Sequence, residues 1–396
     1  MDTIDIENRL GLTFCDRLEL AFTHGNGSRV WDEAGREYLD FSSGWGVTCL
    51  GHNHPAITKA ITDQAGKIIQ SPNAGFTYSP SRAALLAALS RALPANLART
   101  FFCNSGAEAN DAALKLARKI TGRTKVVSTL GGFHGRTFNT LAVTRNLENS
   151  GRYVPKQEST VFAPFGDQDA MTRAIGDDTA AVIIEPIQGE GGVQVAPDKY
   201  LEHIQALCRQ HGALFIVDEI QTGFCRTGKF FALEHANAIE PDFLTMGKGI
   251  AGGFPFAAFA VSEAVSNKLE KDDHGGTYCG NPLGCAISRA VISFLLEHNV
   301  AERVVEKGAL LHAKLMDLKE KYPYLIKEIR GRGLIWAIAC HDPDLTRPLT
   351  LACADAGLLV VPTRGGVIRL LPDLLVSDAD IDTALLILDK VLRAGQ

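Results

Sequence analysis

The sequence predicts an α/β fold, with a mostly parallel central sheet in a large unit and a smaller α+β unit made from both chain ends. Three observations carry this. Short, continuously apolar, β-branched runs alternate with amphipathic helical segments between residues 50 and 285. These runs do not alternate polar with apolar, which suits strands covered on both faces. On either side of that stretch the pattern changes to short hairpin-like segments and long helices.

In chain order, Arg29–Trp31 and Glu37–Asp40 read as a hairpin. Strands are expected at Thr100–Cys103, Lys125–Ser128, Ala181–Ile184, Leu214–Val217, Phe243–Thr245 and Ala257–Val261. Helices are expected between them at Ala107–Ile120, Asp167–Ile175 and Asp198–His211. Beyond Pro282 come a helix over Leu283–Leu296 and a second through Leu318. Gly333–Ala339, Leu358–Val361 and Val367–Leu371 read as strands, and Ala379–Leu392 as a final amphipathic helix. The large unit is thus expected over 50–285, and the small one over 1–49 plus 286–396.

Composition narrows the function. The chain has 396 residues, with 40 Lys and Arg against 45 Asp and Glu, a formal net charge of −5. No basic run offers a footprint for nucleic acid. With 46% apolar residues the chain can build a large core, which excludes disorder as its main state. No apolar stretch of roughly 18 residues offers a membrane span. The first ten residues, MDTIDIENRL, lack the apolar core of a signal peptide. Nine scattered cysteines without a C-x-x-C pair suggest reduced thiols in the cytoplasm, with no disulfide frame and no metal site.

The chemistry begins with a lysine and an aspartate. Leu214-Phe-Ile-Val-Asp218-Glu219 sets an acid just past a buried strand, and Met246-Gly-Lys248-Gly-Ile-Ala-Gly-Gly253 sets a lysine among glycines. In a parallel sheet both strand ends open on one edge, the usual ligand crevice. A desolvated lysine has a lowered pKa and becomes nucleophilic. A buried aspartate needs a cation or donors. A pyridine aldehyde satisfies both, condensing with Lys248 while its ring N–H pairs with Asp218. Taken singly, each residue also reads as structural.

Two loops add binding groups. Ser105-Gly106-Ala107-Glu108 leads from a strand into a helix, so its amides form an anion cup at the positive end of the dipole. The same residues also read as a capping box. In Gly131-Gly-Phe133-His134-Gly135-Arg136-Thr137, Phe133 or His134 can stack on a flat ring and Arg136 can hold a carboxylate. A surface ion pair for Arg136 and a hydrogen-bonded loop role for His134 are the plainer readings. Gly223–Lys229 nearly fits a P-loop, but Phe230 stands where a magnesium-binding hydroxyl belongs. Gly247–Gly252 fits G-x-G-x-x-G, but Pro255 prevents a following helix. A non-catalytic nucleotide-binding or scaffold protein would rest on those two motifs.

Together these segments resemble class III (subgroup II) pyridoxal-phosphate aminotransferases of fold type I. The resemblance spans Gly51-His-Asn-His-Pro55 to Val367-Ile-Arg369-Leu. It includes Val217-Asp-Glu-Ile-Gln-Thr-Gly223, Glu185-Pro-Ile-Gln-Gly-Glu190 and Gly276-Thr-Tyr-Cys-Gly-Asn-Pro282. It implies pyridoxal 5'-phosphate as cofactor, with Lys248 as the Schiff-base lysine and proton carrier and Asp218 on the ring nitrogen. It further implies Gln221 beside the 3-oxygen, Phe133 stacked on the ring, His134 and Glu185 in the cofactor pocket, and Ser105, Gly106 and Ala107 on the phosphate. Thr277 would reach the phosphate of a neighbouring subunit in a homodimer. Arg136 would bind the donor's α-carboxylate and Arg369 that of 2-oxoglutarate, with Glu190 neutralising Arg369 while the donor is bound. Trp45 and Gly276 fall at positions that touch the substrate. The resemblance is nearest to the acetylornithine and ornithine group, with small-molecule partners only. It leaves 4-aminobutyrate, putrescine or diaminobutyrate open as donor, and decarboxylases, epimerases and phospho-lyases within the same fold.

Overall fold

The computed structural model describes residues 2–72, 75–144 and 159–395. Its largest sheet has seven strands, in the order Leu97–Cys103, Ala257–Ser262, Phe243–Met246, Leu214–Asp218, Thr179–Ile184, Lys125–Thr129 and Thr160–Ala163. Ala257–Ser262 runs antiparallel to both neighbours, and the remaining pairs are parallel. All six expected strands lie in this sheet, each a residue or more longer than the apolar pattern alone marks. Their uninterrupted apolarity has a direct cause. Ala180 to Ile184 and Phe215 to Val217 are at most 1% exposed, because helices cover both faces. The seventh strand, Thr160–Ala163, is a four-residue edge strand with too short an apolar run to stand out.

The parallel strands bring Cys103, Thr129, Ile184, Asp218 and Met246 to one sheet edge. Helix Gly106–Thr121 starts there, capped by Ser105 Oγ, which accepts from the Glu108 amide at 3.2 Å. Its apolar stripe, Ala109, Ala112, Ala113 and Leu116, packs under Val126, Ile183 and Ile216. Burial of that stripe, more than propensity, fixes the helix against the sheet.

The chain ends build two further four-stranded sheets. One joins Phe22–Asn26, Arg29–Asp32 and Glu37–Asp40 to Leu358–Leu359. The expected hairpin is present, with Trp31 opposite Glu37. The other holds Ile326–Arg332, Ile335–Cys340, Val367–Leu370 and Val361–Thr363. The single strand expected over Leu358–Val361 is therefore divided between sheets, the first part pairing with Leu39 and the second with Arg369.

Helices Pro55–Ala65, Pro80–Leu89 and Thr346–Asp355 were not expected from periodicity; the first buries no residue fully. The boundary expected at 285 falls inside helix Pro282–Glu297, which Asn281 caps and Pro282 starts. That helix packs on Pro55–Ala65, Pro80–Leu89 and the turn Lys248–Ala251. We therefore propose dividing the chain near His298. The core does not divide there: one buried cluster includes Val217, Phe224, Ile338 and Leu370. Arg226 stitches across it, with Nη1 donating to Leu334 O at 2.9 Å and Pro372 O at 2.5 Å. Ser28 Oγ likewise donates to Asp373 Oδ2 at 2.5 Å.

Candidate active site

Asp218 ends its strand 3% exposed and fully coordinated by donors. Its Oδ2 accepts from Asn110 Nδ2 and His134 Nδ1, each at 2.7 Å, and its Oδ1 accepts from the Ile220 amide at 3.0 Å. Asn110 is itself locked, accepting from Thr245 Oγ1 at 2.7 Å and donating to His134 O at 2.9 Å. Burial lowers the His134 pKa, but the Asp218 hydrogen bond and charge, with Glu185, outweigh it and raise the net value. Glu185 accepts from the Phe133 amide at 2.9 Å, and burial raises its pKa. A carboxylate held this firmly is preorganised to face a cation.

Lys248 follows the neighbouring strand. Asp218 pairs in register with Thr245, three residues before the lysine, and adjacent strands lie about 4.8 Å apart. Lys248 has φ 44°, a left-handed conformation that costs a non-glycine residue on the order of 1–2 kcal/mol. Desolvation lowers its pKa, opposed by Glu190, Asp218 and Glu185 and assisted by Arg369. All four charged groups thus lie within electrostatic reach of its amine.

A second polar chain crosses the mouth. Arg369 is wholly buried, and its Nη1 meets Glu190 Oε1 at 2.8 Å and Gln221 Oε1 at 3.3 Å. Its Nε and Nη2 are buried with no partner among the described residues. Gln221 Nε2 donates to Trp45 O at 3.4 Å. Trp45 is half exposed, in a left-handed turn where Ser43, Gly44, Trp45 and Gly46 all have positive φ. Asp40 Oδ1 ties down that turn, accepting from the Ser42 and Ser43 amides at 2.8 and 3.0 Å. Gly189 leaves room for Gln221: a Cβ would fall inside its Oε1 and come 3.2 Å from Arg369 Nη1, so the Gln221 side chain would have to move.

At the other end, the amides of Gly106 and Ala107 have no acceptor among the described residues. Ser105 and Glu108 do cap the helix, Glu108 Oε2 accepting from the Asn104 amide at 3.0 Å, so the capping and anion-cup readings coexist. Gly106 is pressed on Ile220, whose Cδ1 would lie 2.7 Å from a Cβ, and Ile220 also touches Gly247. The helix start therefore abuts the lysine loop. Phe133 is half-buried with the exposed Arg136 guanidinium 5.4 Å from its ring centroid. Arg136 makes no hydrogen bond or ion pair among the described residues. Thr277 and Gly276 are exposed, outside the Lys248 cluster, with Gln70 Nε2 donating to Thr277 O at 2.7 Å.

Asn110, Thr245 and Gly189 were not singled out by sequence reasoning. The signal for Asn110 was a polar residue within the apolar stripe of its helix. The near P-loop is a buried turn whose Cys225 and Gly228 amides donate to Phe230 O and Cys225 O, leaving no phosphate cup from them.

The chain matches the family model Aminotransferase class-III over residues 15–392. It is 40% identical over 395 residues to an acetylornithine aminotransferase from Methanopyrus kandleri, covering 100% of both chains. It is also 40% identical over 379 residues to a LysW-aminoadipate semialdehyde transaminase from Deinococcus radiodurans, covering 95% of this chain and 86% of that one. A structure of ornithine aminotransferase from Toxoplasma gondii, with PLP at partial occupancy in its active site, matches with a TM-score of 0.91 at 31% identity, covering 99% and 93% of the two chains. The residues here fit that cofactor: a fixed carboxylate, an amine one strand away and unengaged amides at a helix start. The chain belongs to the class-III aminotransferases, and pyridoxal phosphate is its cofactor.

Proposed function

We propose that this aminotransferase moves the terminal amino group of N-acetylornithine, or a related ω-amino acid, to 2-oxoglutarate, giving a semialdehyde and glutamate. One observation carries the reading: a wholly buried arginine, paired to a single carboxylate and with two nitrogens unpartnered, stands within electrostatic reach of Lys248. With Glu190 in place, Arg369 is neutralised and the pocket accepts a donor tail without a second carboxylate. With Glu190 displaced, the guanidinium fork takes an α-carboxylate bidentately. The likeness to an acetylornithine aminotransferase supports the donor.

When bound, pyridoxal phosphate supplies an aldehyde that condenses with amines and a ring that accepts an electron pair. Lys248 Nζ takes the proton from the amine-bearing carbon of the donor, its lowered pKa leaving it a free base more often than an ordinary lysine. Asp218, held by Asn110 and His134, would hold the ring nitrogen. The Gly106 and Ala107 amides, with Ser105, would hold the phosphate. Phe133 would pack on the ring, Gln221 would reach its 3-oxygen, and Arg136 would bind the donor's α-carboxylate. Trp45 and Gly276 shape the donor side.

Thr277 would complete the phosphate site of a neighbouring subunit in a homodimer. Its exposure, beside the exposed Ile69 and Tyr278, supports this. No helix among the described residues is long and apolar enough to cross a membrane, and all nine cysteines are free, which supports a cytoplasmic enzyme. A donor-by-acceptor activity matrix tests the assignment. N-acetylornithine with 2-oxoglutarate should give the highest kcat/KM; a lead for 4-aminobutyrate, putrescine or diaminobutyrate would replace the donor. Lys248→Ala should abolish turnover.

A further inference from the structure

Apart from the Lys248 site, a cavity of about 330 Å³ opens among three elements. These are the ribbon of Ile187–Gln188 and Gln194–Val195, the start of helix Tyr200–His211, and the end of strand Ile326–Arg332, with the turn Ala232–His235 closing the fourth side. Its size suits a small metabolite. Part of its lining is cationic: Arg332 and Lys199, neither with a side-chain hydrogen bond or ion pair among the described residues. Lys199 gives the helix no side-chain cap, so the Leu201 and Glu202 amides also lack an acceptor there. Another part is anionic: Asp198 and Glu202. Glu202 Oε1 accepts from the Asn237 amide at 2.9 Å, while its Oε2 is buried without a partner among the described residues. His235 lies between Thr227 O and Oγ1, each 3.1 Å from Nε2, and burial with the nearby Arg332 depresses its pKa to about 4. The lining thus presents two basic and two acidic side chains over an apolar wall of Pro186 and Val195.

We infer that this cavity binds a free α-amino acid, its carboxylate to Arg332 and the helix amides and its ammonium to Glu202. Basic and acidic side chains in equal number match a zwitterion and disfavour a plain anion or amine, each of which leaves one partner unpaired. The site is joined to the reaction centre. Arg330 Nε donates to Gly192 O at 2.8 Å, and Gly192 lies at the ribbon tip with Glu190. The ribbon tip that carries Glu190 is thus tied to the strand that ends in Arg332 at the cavity. The binding itself stands whatever role the pair of Glu190 and Arg369 has.

Calorimetric titration of the holoenzyme tests this with glycine, leucine, glutamate and arginine, each beside its N-acetyl and amide forms. The proteins are wild type, Arg332→Gln and Glu202→Gln. At least one free amino acid should bind, and both its blocked forms should bind at least tenfold more weakly, about 1.4 kcal/mol. Arg332→Gln should weaken the free amino acid at least tenfold while kcat stays within about twofold of wild type. Glu202→Gln should weaken it too, which keeps the test open if one variant folds poorly. Unchanged affinity in both variants would assign the binding to the Lys248 site and overturn the inference. So would the absence of saturable binding of all four amino acids up to about 10 mM.

Discussion

Replacing Glu190 by Gln removes one charge and little volume, and it isolates what the Arg369 pair does. Arg369 is fully buried and Glu190 only 17% exposed, so screening by water is slight. The contact at 2.8 Å is a charge-assisted hydrogen bond, worth roughly 1.5–3 kcal/mol net. In the wild type an incoming α-carboxylate must displace Glu190 before it reaches Arg369. In Glu190→Gln that competition falls to a neutral hydrogen bond. The KM for 2-oxoglutarate should therefore drop by about threefold to tenfold, since about half of that energy is lost with the charge and each 1.4 kcal/mol is a factor of ten. The ω-amino donor half-reaction should slow, because Arg369 is left charged and uncompensated beside an uncharged tail. Glu190 also raises the Lys248 pKa, so the amine should titrate still lower in the variant. Stopped-flow measurement of the two half-reactions separates these effects. If 2-oxoglutarate KM is unchanged and both half-reactions slow equally, the pair only supports the fold and the proposed switch is wrong.

Other perturbations probe the cradle. Asn110→Ala removes a donor to Asp218 and strands the Thr245 hydroxyl, so stability should fall by about 1–3 kcal/mol and the cofactor should be lost faster on dialysis; unchanged retention would show that Asp218 does not need this support. Glu219 is wholly buried, accepting from the Leu233 amide at 2.7 Å and the Thr222 hydroxyl, and burial pushes its pKa to about 7. The folded state then binds more protons than the unfolded one between about pH 4.5 and 7, so stability falls as pH rises through that window, by about 3 kcal/mol for this group. Glu219→Gln imitates the protonated form and should flatten the fall; parallel wild-type and variant melting curves at pH 5.5 and 8.5 would refute the burial argument. Gly106→Ala sets a Cβ 2.7 Å from Ile220 Cδ1, costing about 1–3 kcal/mol and weakening cofactor binding more than 2-oxoglutarate affinity; cofactor titration against KM distinguishes the two.

The large sheet was legible because burial on both faces writes itself as unbroken apolar runs, as in Leu214–Val217. The edge strand Thr160–Ala163 has one covered neighbour and a mixed pattern, so nothing marked it. Leu358–Val361 reads as one run, yet the chain leaves one sheet for another at Val360, a tertiary choice with no local signal. In the site, Lys248 and Asp218 were visible as charged residues just past apolar strands. Asn110 was hidden by its helix, and Gly189 by the abundance of glycine. What gives Gly189 its role is the approach of the Gln221 side chain, thirty-two positions away in the chain.

The site's two polar systems differ in tightness, and that difference predicts how they respond together. The cradle of Asn110, His134 and Asp218 uses bonds of 2.7–3.0 Å among residues drawn from adjoining strands and loops. The mouth is joined through Gln221 by bonds of 3.4 Å to Trp45 and 3.3 Å to Arg369, and its members come from both chain ends and the middle. Short bonds between buried side chains resist repacking, whereas long ones at a junction of segments tolerate it. Donor preference can then shift through Trp45 and Glu190 while the cradle of Asn110, His134 and Asp218 stays fixed. The consequence is measurable in the double variant Asn110→Ala with Glu190→Gln. The two systems share no hydrogen-bonded residue, so their stability effects should add within about 0.5 kcal/mol. A coupling above about 1 kcal/mol in denaturant titrations would mean that cradle and mouth form one network, and that donor specificity cannot change without disturbing cofactor binding.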